Sequence, residues 1–189
     1  MAPNVANLIA GPGTLYHADY GATEPADADV DTPPASPWVD MGGTSGGVTL
    51  AVNQELFRME IDQVVDPVGR RITSRDVTVA TSLAEATLDN LARAIGQDPG
   101  SIQAGTGYRA LDLEGDDPGG EPAYFALLFR GRAPAGHWRN VIIRRAYPTE
   151  AVETSYQRGG QTLIPVTFAA HWVSPSVRPV RVVDGISES

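Results

Sequence analysis

Three histidines, His17, His137 and His171, have the widest chemical repertoire in this 189-residue chain, and they stand far apart with no metal-ligand spacing. There is no cysteine, which excludes thiolate metal sites, cysteine nucleophiles and disulfides. There is no lysine either, so a Schiff-base or phosphate-loop lysine is excluded as well. Asp112, Glu114 and Asp116 imitate the first three ligand positions of a calcium loop. Asp117 stands where that loop needs glycine and Ala123 where its closing glutamate belongs, so the stretch reads as an acidic turn. The string GGTSGG is out of register with the G-x-S-x-G of a nucleophile elbow. Nothing singles out a pair of acids for glycoside chemistry. Catalytic, cofactor-binding and metal-ligating residues are therefore all assigned as none.

One charged constellation remains. Arg70, Arg71 and Arg75 form the densest basic cluster, with Asp62, Asp66 and Asp76 around them. Arginine suits bidentate pairing with carboxylates, so the cluster reads as a salt-bridging surface that meets another subunit. A nucleic-acid patch fits poorly with a net charge of −9 and a pI near 4.7.

The elements that carry these residues are mostly strands. Hydrophobic content of 42% supplies a core, and 20 glycines with 15 prolines suit many turns. The length fits a single domain spanning 1–189. No run approaches a membrane span of about 20 apolar residues. MAPNVANLIAGPG lacks a basic region and has too short an apolar run for a signal peptide, so a soluble protein of mature length is expected. Residues 1–10 read as an arm, 22–37 as a long exposed loop rich in Pro, Ala and Asp, and 184–189 as a polar tail. The alternating Asp27, Asp29 and Asp31 are expected to be solvated.

The run from Gly46 to Gly96 organises the rest. MGGTSGG supplies freedom for a tight turn. In GGVTLAVN, Val48, Leu50 and Val52 share a face; in FRMEID, Phe57, Met59 and Ile61 are expected inward and Arg58, Glu60 and Asp62 outward. Pro67 and Gly69 punctuate a turn, which reads as a hairpin reaching beyond the domain. RDVTVATS returns with Val77 and Val79 inward. A helix is expected over Ser82–Gly96, with Ser82 and Glu85 as capping box, Ala84, Leu88, Leu91 and Ile95 on one face, and Asp89 spaced to pair with Arg93. Downstream, YRALDL, PAYFALLFR, GHWRNVIIRRAYP, TLIPVTFAAHWV and RPVRVV read as strands. PAYFALLFR is apolar on both faces, and Pro165 implies an edge or a bulge. The sum is a mainly β sandwich or barrel with one flanking helix.

The string GTLYHADYGATEP, a Pro/Ala/Asp loop, and then SPWVDMGGTSGGVTL together resemble the N-terminal part of major tail tube proteins of long-tailed (siphovirus-type) bacteriophages. The family runs from a Tyr-bearing strand through a G-x-x-x-P loop to a WVDLG-x-x-x-x-G strand start, then strands and a helix of the LAEATLDNL type. The match covers about Gly11 to Gly96. The resemblance implies a β-sandwich with a flanking helix, without enzyme activity or cofactors. It implies hexameric rings whose inner sheets join into a channel, stacked into a tube around a tape measure protein. Tail terminator and distal tail proteins would cap the tube, and double-stranded DNA would pass through without specific binding. The place is the virion tail, reached from the host cytoplasm during assembly, with no membrane partner.

On that basis Glu60, Asp62 and Asp76 are expected to line an acidic lumen that repels phosphates. Leu8, Ile9, Trp38, Asp66, Arg70, Arg71 and Arg75 are expected at inter-subunit contacts. Two alternatives stand beside this reading. One is a related tube or tail-terminator subunit of a contractile injection system or gene-transfer particle. The other is a monomeric carbohydrate-binding sandwich using Trp138 and Trp172.

Overall fold

The computed structural model describes residues 4–113 and 121–186. Glu114, Asp116 and Asp117 of the calcium-loop imitation lie outside these residues, as do 1–3 of the arm and 187–189 of the tail. Among the described residues there are ten strands and one α-helix. The strands are β1 (Thr14–Asp19), β2 (Val39–Asp40), β3 (Thr44–Ile61), β4 (Val64–Leu83), β5 (Gln103–Gly105), β6 (Tyr108–Ala110), β7 (Phe125–Arg132), β8 (Trp138–Pro148), β9 (Ile164–Ala170) and β10 (Val180–Asp184). The helix, α1, is Leu88–Ala94.

Seven strands follow the order β2-β1-β7-β8-β9-β4-β3, all antiparallel, and β5 pairs with β6 apart. Strand β8 divides its second edge. Arg139 to Ile143 pair with β10, whereas Ala146 to Pro148 pair with β9. The sheet is open, not a closed barrel, and the mainly β class with one flanking helix holds.

Alternation along β7 builds two cores. Phe125 and Leu127 join the larger cluster with Leu15, Val79, Ile164 and Phe168. Ala126 and Leu128 join the smaller one with Ala18, Trp38 and Ile142. The doubly apolar β7 is thus covered on both sides, as its sequence requires. Ile142 and Ile143 of β8 likewise go to opposite clusters. Pro165 sits where β9 has only β4 beside it, a position that asks for no second ladder bond.

The helix is shorter than its pattern. Ser82 and Leu83 belong to β4, and Ser82 pairs with Pro165. Thr87, not Ser82, caps the helix, its side chain accepting from the Asn90 N–H at 3.2 Å. Glu85 points back to accept from Gly43 N–H at 3.1 Å. Strand pairing with β9 outcompetes a local cap, because it satisfies both N–H and C=O groups of the ladder. The expected Asp89–Arg93 pair does not form. Asp89 takes Arg109 of β6 in a fork of 2.7 and 3.0 Å, and Arg93 lies over the Phe125 ring. Gly96 ends the helix as expected, with φ of 78° and the Tyr147 ring filling the space a Cβ would need.

Two turn assignments are corrected. Gly46 and Gly47, expected to make a tight turn, lie inside β3 at a bulge, where Thr81 donates to the Gly47 carbonyl at 2.8 Å. Pro67 and Gly69 do not mark the turn of the long hairpin. The chain reverses at Asp62 and Gln63, directly between β3 and β4. Met59 faces Gly69 and Ile61 faces Val64, so Val65 to Val68 together stand opposite Glu60. Proline has no N–H for the ladder, so its neighbourhood bulges out instead.

Candidate functional site

The feature that dominates the surface is the β3–β4 hairpin. Strand β4 pairs with β9 only through Thr78 to Leu83. Beyond that point the two hairpin strands have only each other as ladder partners. From Val52 to Ile61 this free arm extends about 30 Å at strand rise. A lone two-stranded hairpin is at best marginally stable in water, so an arm of this length calls for a partner.

The register sorts its side chains. Leu50 faces Val79, Val52 faces Val77 and Gln54 faces Arg75; directly paired residues share a face. Val77 and Val79 are buried, so this face turns toward the body. The opposite face near the base carries Asn53, Glu55, Ser74, Asp76 and Thr78, and is polar. Farther out the pattern inverts. Phe57, Met59 and Ile61 lie on the continuation of that second face, and none is covered. They were expected inward; Phe57 is 60% exposed, because β4 pairs with β9 only as far as Thr78 and the hairpin runs on past the end of that ladder. Leu56 and Ile72 are exposed on the first face, and Val65 near the tip is 100% exposed. Apolar exposure on both faces of one arm marks an interaction surface. The outer edge of β3 is a second one, eighteen residues long with no strand beside it among the described residues.

The acids assigned to a lumen do not share one face. Asp76 opposes Asn53 on the polar face. Glu60 lies on the other face, where Arg58 holds it at 2.6 Å. Asp62 is in the turn. Glu55, beside Asp76 on the polar face and accepting from the Ser74 hydroxyl at 3.0 Å, was missed; its odd position on β3 was the available signal. Arg70, Arg71, Arg75 and Asp66 are exposed along the hairpin, and Leu8 and Ile9 are exposed in the arm. Trp38 is placed differently. It is 6% exposed inside the smaller core, its indole N–H donating to the Thr23 carbonyl at 2.9 Å.

Trp38 thereby anchors the loop of residues 22–37, which is mostly exposed yet tied down. Glu24 pairs with Arg144 and Asp27 with Arg181. Asp31 accepts from Trp138 N–H at 2.9 Å and meets His137 at 2.8 Å, and these two contacts hold its carboxyl below the usual range. Val30 is buried. Two of the three alternating aspartates are thus clasps rather than solvated charges. The Arg130 and Arg132 guanidinium groups both lie over the Trp138 ring, at 3.9 and 4.0 Å from its centre, so that ring is already engaged within the chain. Trp172 is exposed.

One cleft gathers titratable groups in a way that deserves a chemical test. Beneath α1, an open pocket of about 260 Å³ is lined by His17, Asp40, Glu85, Asp89 and Arg93 among others. Its acids are engaged: Asp40 accepts from Gly42 N–H, Glu85 from Gly43 N–H, and Asp89 from Arg109. No nucleophile is poised beside a base there, and the groups fasten loop, helix and sheet together. Among the described residues no three metal-ligating side chains gather, and no helix is long and apolar enough to cross a membrane.

His17 in this cleft makes stability depend on pH. Burial pushes its pKa down to about 4, with the Arg93 charge adding to the effect and Asp89 opposing it. The unfolded chain, titrating near 6.5, then binds more protons than the folded one between these values. The His17 contribution is therefore expected to be fully present above about pH 6.5 and to be lost as the pH drops toward 4, by up to about 3 kcal/mol. Urea unfolding at pH 7 and 4.5 measures this, and His17→Gln is expected to flatten the difference.

A family model described as phage tail tube protein matches residues 1–174. Among solved structures the chain is similar to one from "Virion of native gene transfer agent (GTA) particle", at 11% identity and a TM-score of 0.42, covering 98% of this chain and 100% of that one. It is also similar to one from "Cryo-EM structure of the anti-feeding prophage (AFP) baseplate, 6-fold symmetrised", at 8% identity and a TM-score of 0.45, covering 97% of each. A comparison with curated proteins finds no match.

Proposed function

Because the chain belongs to the phage tail tube protein family, we propose that it is a non-enzymatic subunit that closes into rings of six, stacked as a tail tube. The observation that carries the finer reading is the β3–β4 hairpin, with its unpaired eighteen-residue edge and its arm apolar on both faces. An exposed edge of that length invites pairing with another chain, and ring closure removes it. All 189 residues act as one domain.

The polar face near the hairpin base is the part suited to line a channel. Asp76 and Glu55 sit there, and an acidic wall repels the phosphates of passing double-stranded DNA. Glu60 and Asp62, on the other face and in the turn, belong instead with the contacts made by the outer hairpin. Asp66, Arg70, Arg71 and Arg75 join them, and Leu8 and Ile9 of the arm provide a further contact. Trp38 contributes through the loop it anchors. The lumen holds a tape measure protein, with tail terminator and distal tail proteins at the ends. The subunit is made in the host cytoplasm and ends in the virion tail.

Electron microscopy of the purified protein over rising concentration, with and without preformed tail tips as seeds, tests this. Six-fold rings or open tubes are the expected result. Dispersed monomers under every condition, seeds included, would overturn it.

A further inference from the structure

The body-facing side of the hairpin base does not close on the body. Between it and β10 runs an open groove of about 710 Å³, with Leu50, Val52 and Val77 on one wall and Val180 and Val182 on the other. Arg75 and Arg178 stand at this groove, and neither has an ion-pair partner among the described residues. The edge of β4 that passes the end of β9, and the edge of β10 away from β8, both flank it without a strand partner. An occupant must therefore be apolar in the middle, bear carboxylates at its flanks and present an extended backbone.

The tip of the same hairpin has this chemistry. Val64 and Val65 are flanked by Asp62 and Asp66, and neither acid has an ion-pair partner among the described residues. Val65 is fully exposed and stands in the bulge opposite Glu60, pushed out of the ladder. The tip cannot fill its own groove. The groove is lined by the base of the hairpin, and the tip stands about 30 Å away along two continuous strands.

Resting on the tube reading above, we propose that the hairpin tip of one subunit seats in the groove between β10 and the hairpin base of a second copy. Val65 enters the apolar floor, and Asp62 and Asp66 face Arg75 and Arg178. Tip and groove are different surfaces of one chain, so the contact is head-to-tail. Repetition of such a contact runs from copy to copy, around a ring or along a stack, rather than ending in a dimer. The hairpin length then sets the step between successive copies, on the order of 30 Å. Desolvated charge pairs at the groove also give the contact its specificity.

The chain's lack of cysteine makes the test direct. Val65→Cys and Val182→Cys proteins are prepared separately, mixed, brought to assembly conditions and oxidised. Peptide mass spectrometry then reads any disulfide joining positions 65 and 182. Electron microscopy follows the same samples. The expected result is that disulfide, formed between chains and only in the mixture, alongside rings or tubes. In parallel, Asp66→Arg and Arg75→Asp each lose tubes, and the double variant regains them. Tubes without the 65–182 disulfide and without charge-swap rescue overturn the seat while the tube reading stands. Failure of every sample to assemble even with preformed tail tips as seeds, the unsubstituted protein included, overturns both.

Discussion

Phe57→Asp yields a subunit that folds as the parent does and forms neither rings nor tubes. Phe57 is 60% exposed on the part of the hairpin that extends past the end of β9, so the substitution removes little from the folded monomer. Surface changes of that kind stay within about 0.5 kcal/mol. At an interface the same aspartate replaces apolar surface with a charge that must be desolvated even where Arg71, directly across the ladder, pairs with it, and such a buried pair is about 1–4 kcal/mol less favourable than apolar packing. Every contact in an assembly repeats that cost, so the loss is all-or-none in practice. Circular dichroism and urea unfolding check that the monomer is intact; sedimentation and electron microscopy check that assembly is gone. Phe57→Leu keeps the apolar surface and is expected to keep tubes. Tubes formed by Phe57→Asp would remove the outer hairpin from the assembly surface.

Phe168→Ala has the opposite signature, lowering the unfolding free energy by about 3–5 kcal/mol. Phe168 is fully buried and meets Phe125 edge to face, with ring centroids 5.4 Å apart and planes at 89°. It lies in the larger cluster with Leu15 of β1, Val79 of β4 and Phe125 of β7, contributed by three other strands, so no single element can collapse into the void. A loss of this size is a large share of the 5–15 kcal/mol that typically holds a domain together. Urea midpoints measure it. Assembly under conditions where the variant remains folded is expected to persist, because the outer hairpin is untouched.

These two phenylalanines show how far sequence reading carries. Both stand at alternate apolar positions of a strand, and Phe57 was expected inward. Period two identifies a strand with one apolar face, but it does not say which molecule covers that face. Phe168 is covered by its own chain and Phe57 is not, because β9 ends its pairing with β4 at Thr78. The hairpin's reach was legible in its two long β-patterned segments. Its turn was not: Asp62-Gln63 lacks the glycine that favoured two-residue turns carry, whereas Pro67 and Gly69, the stronger local signals, mark a bulge.

The helix and the acidic loop teach the same point at shorter range. Ser82 and Glu85 have capping-box spacing, yet Ser82 pairs in β4 and Thr87 takes over the cap. Asp27 and Asp31 look like solvated charges until Arg181, His137 and the Trp138 N–H are brought beside them from more than a hundred residues away. Long-range partners of charged groups leave no periodicity to read.

By itself the sequence determined the mainly β class, the strand that must be covered on both faces, the single helix with its Gly96 stop, and the family resemblance. Each of these rests on local chemistry: side-chain alternation, backbone freedom at glycine, and residue order. Tertiary structure alone decided that Glu60 and Asp76 occupy opposite faces, that Trp38 closes the smaller core, and that an apolar groove lies open beside β10 with two arginines that have no ion-pair partner among the described residues. Those outcomes depend on strand register and on where each ladder ends. A shift of one residue in register exchanges the two faces of a strand, and register is set by the pairing of whole strands rather than by any one segment.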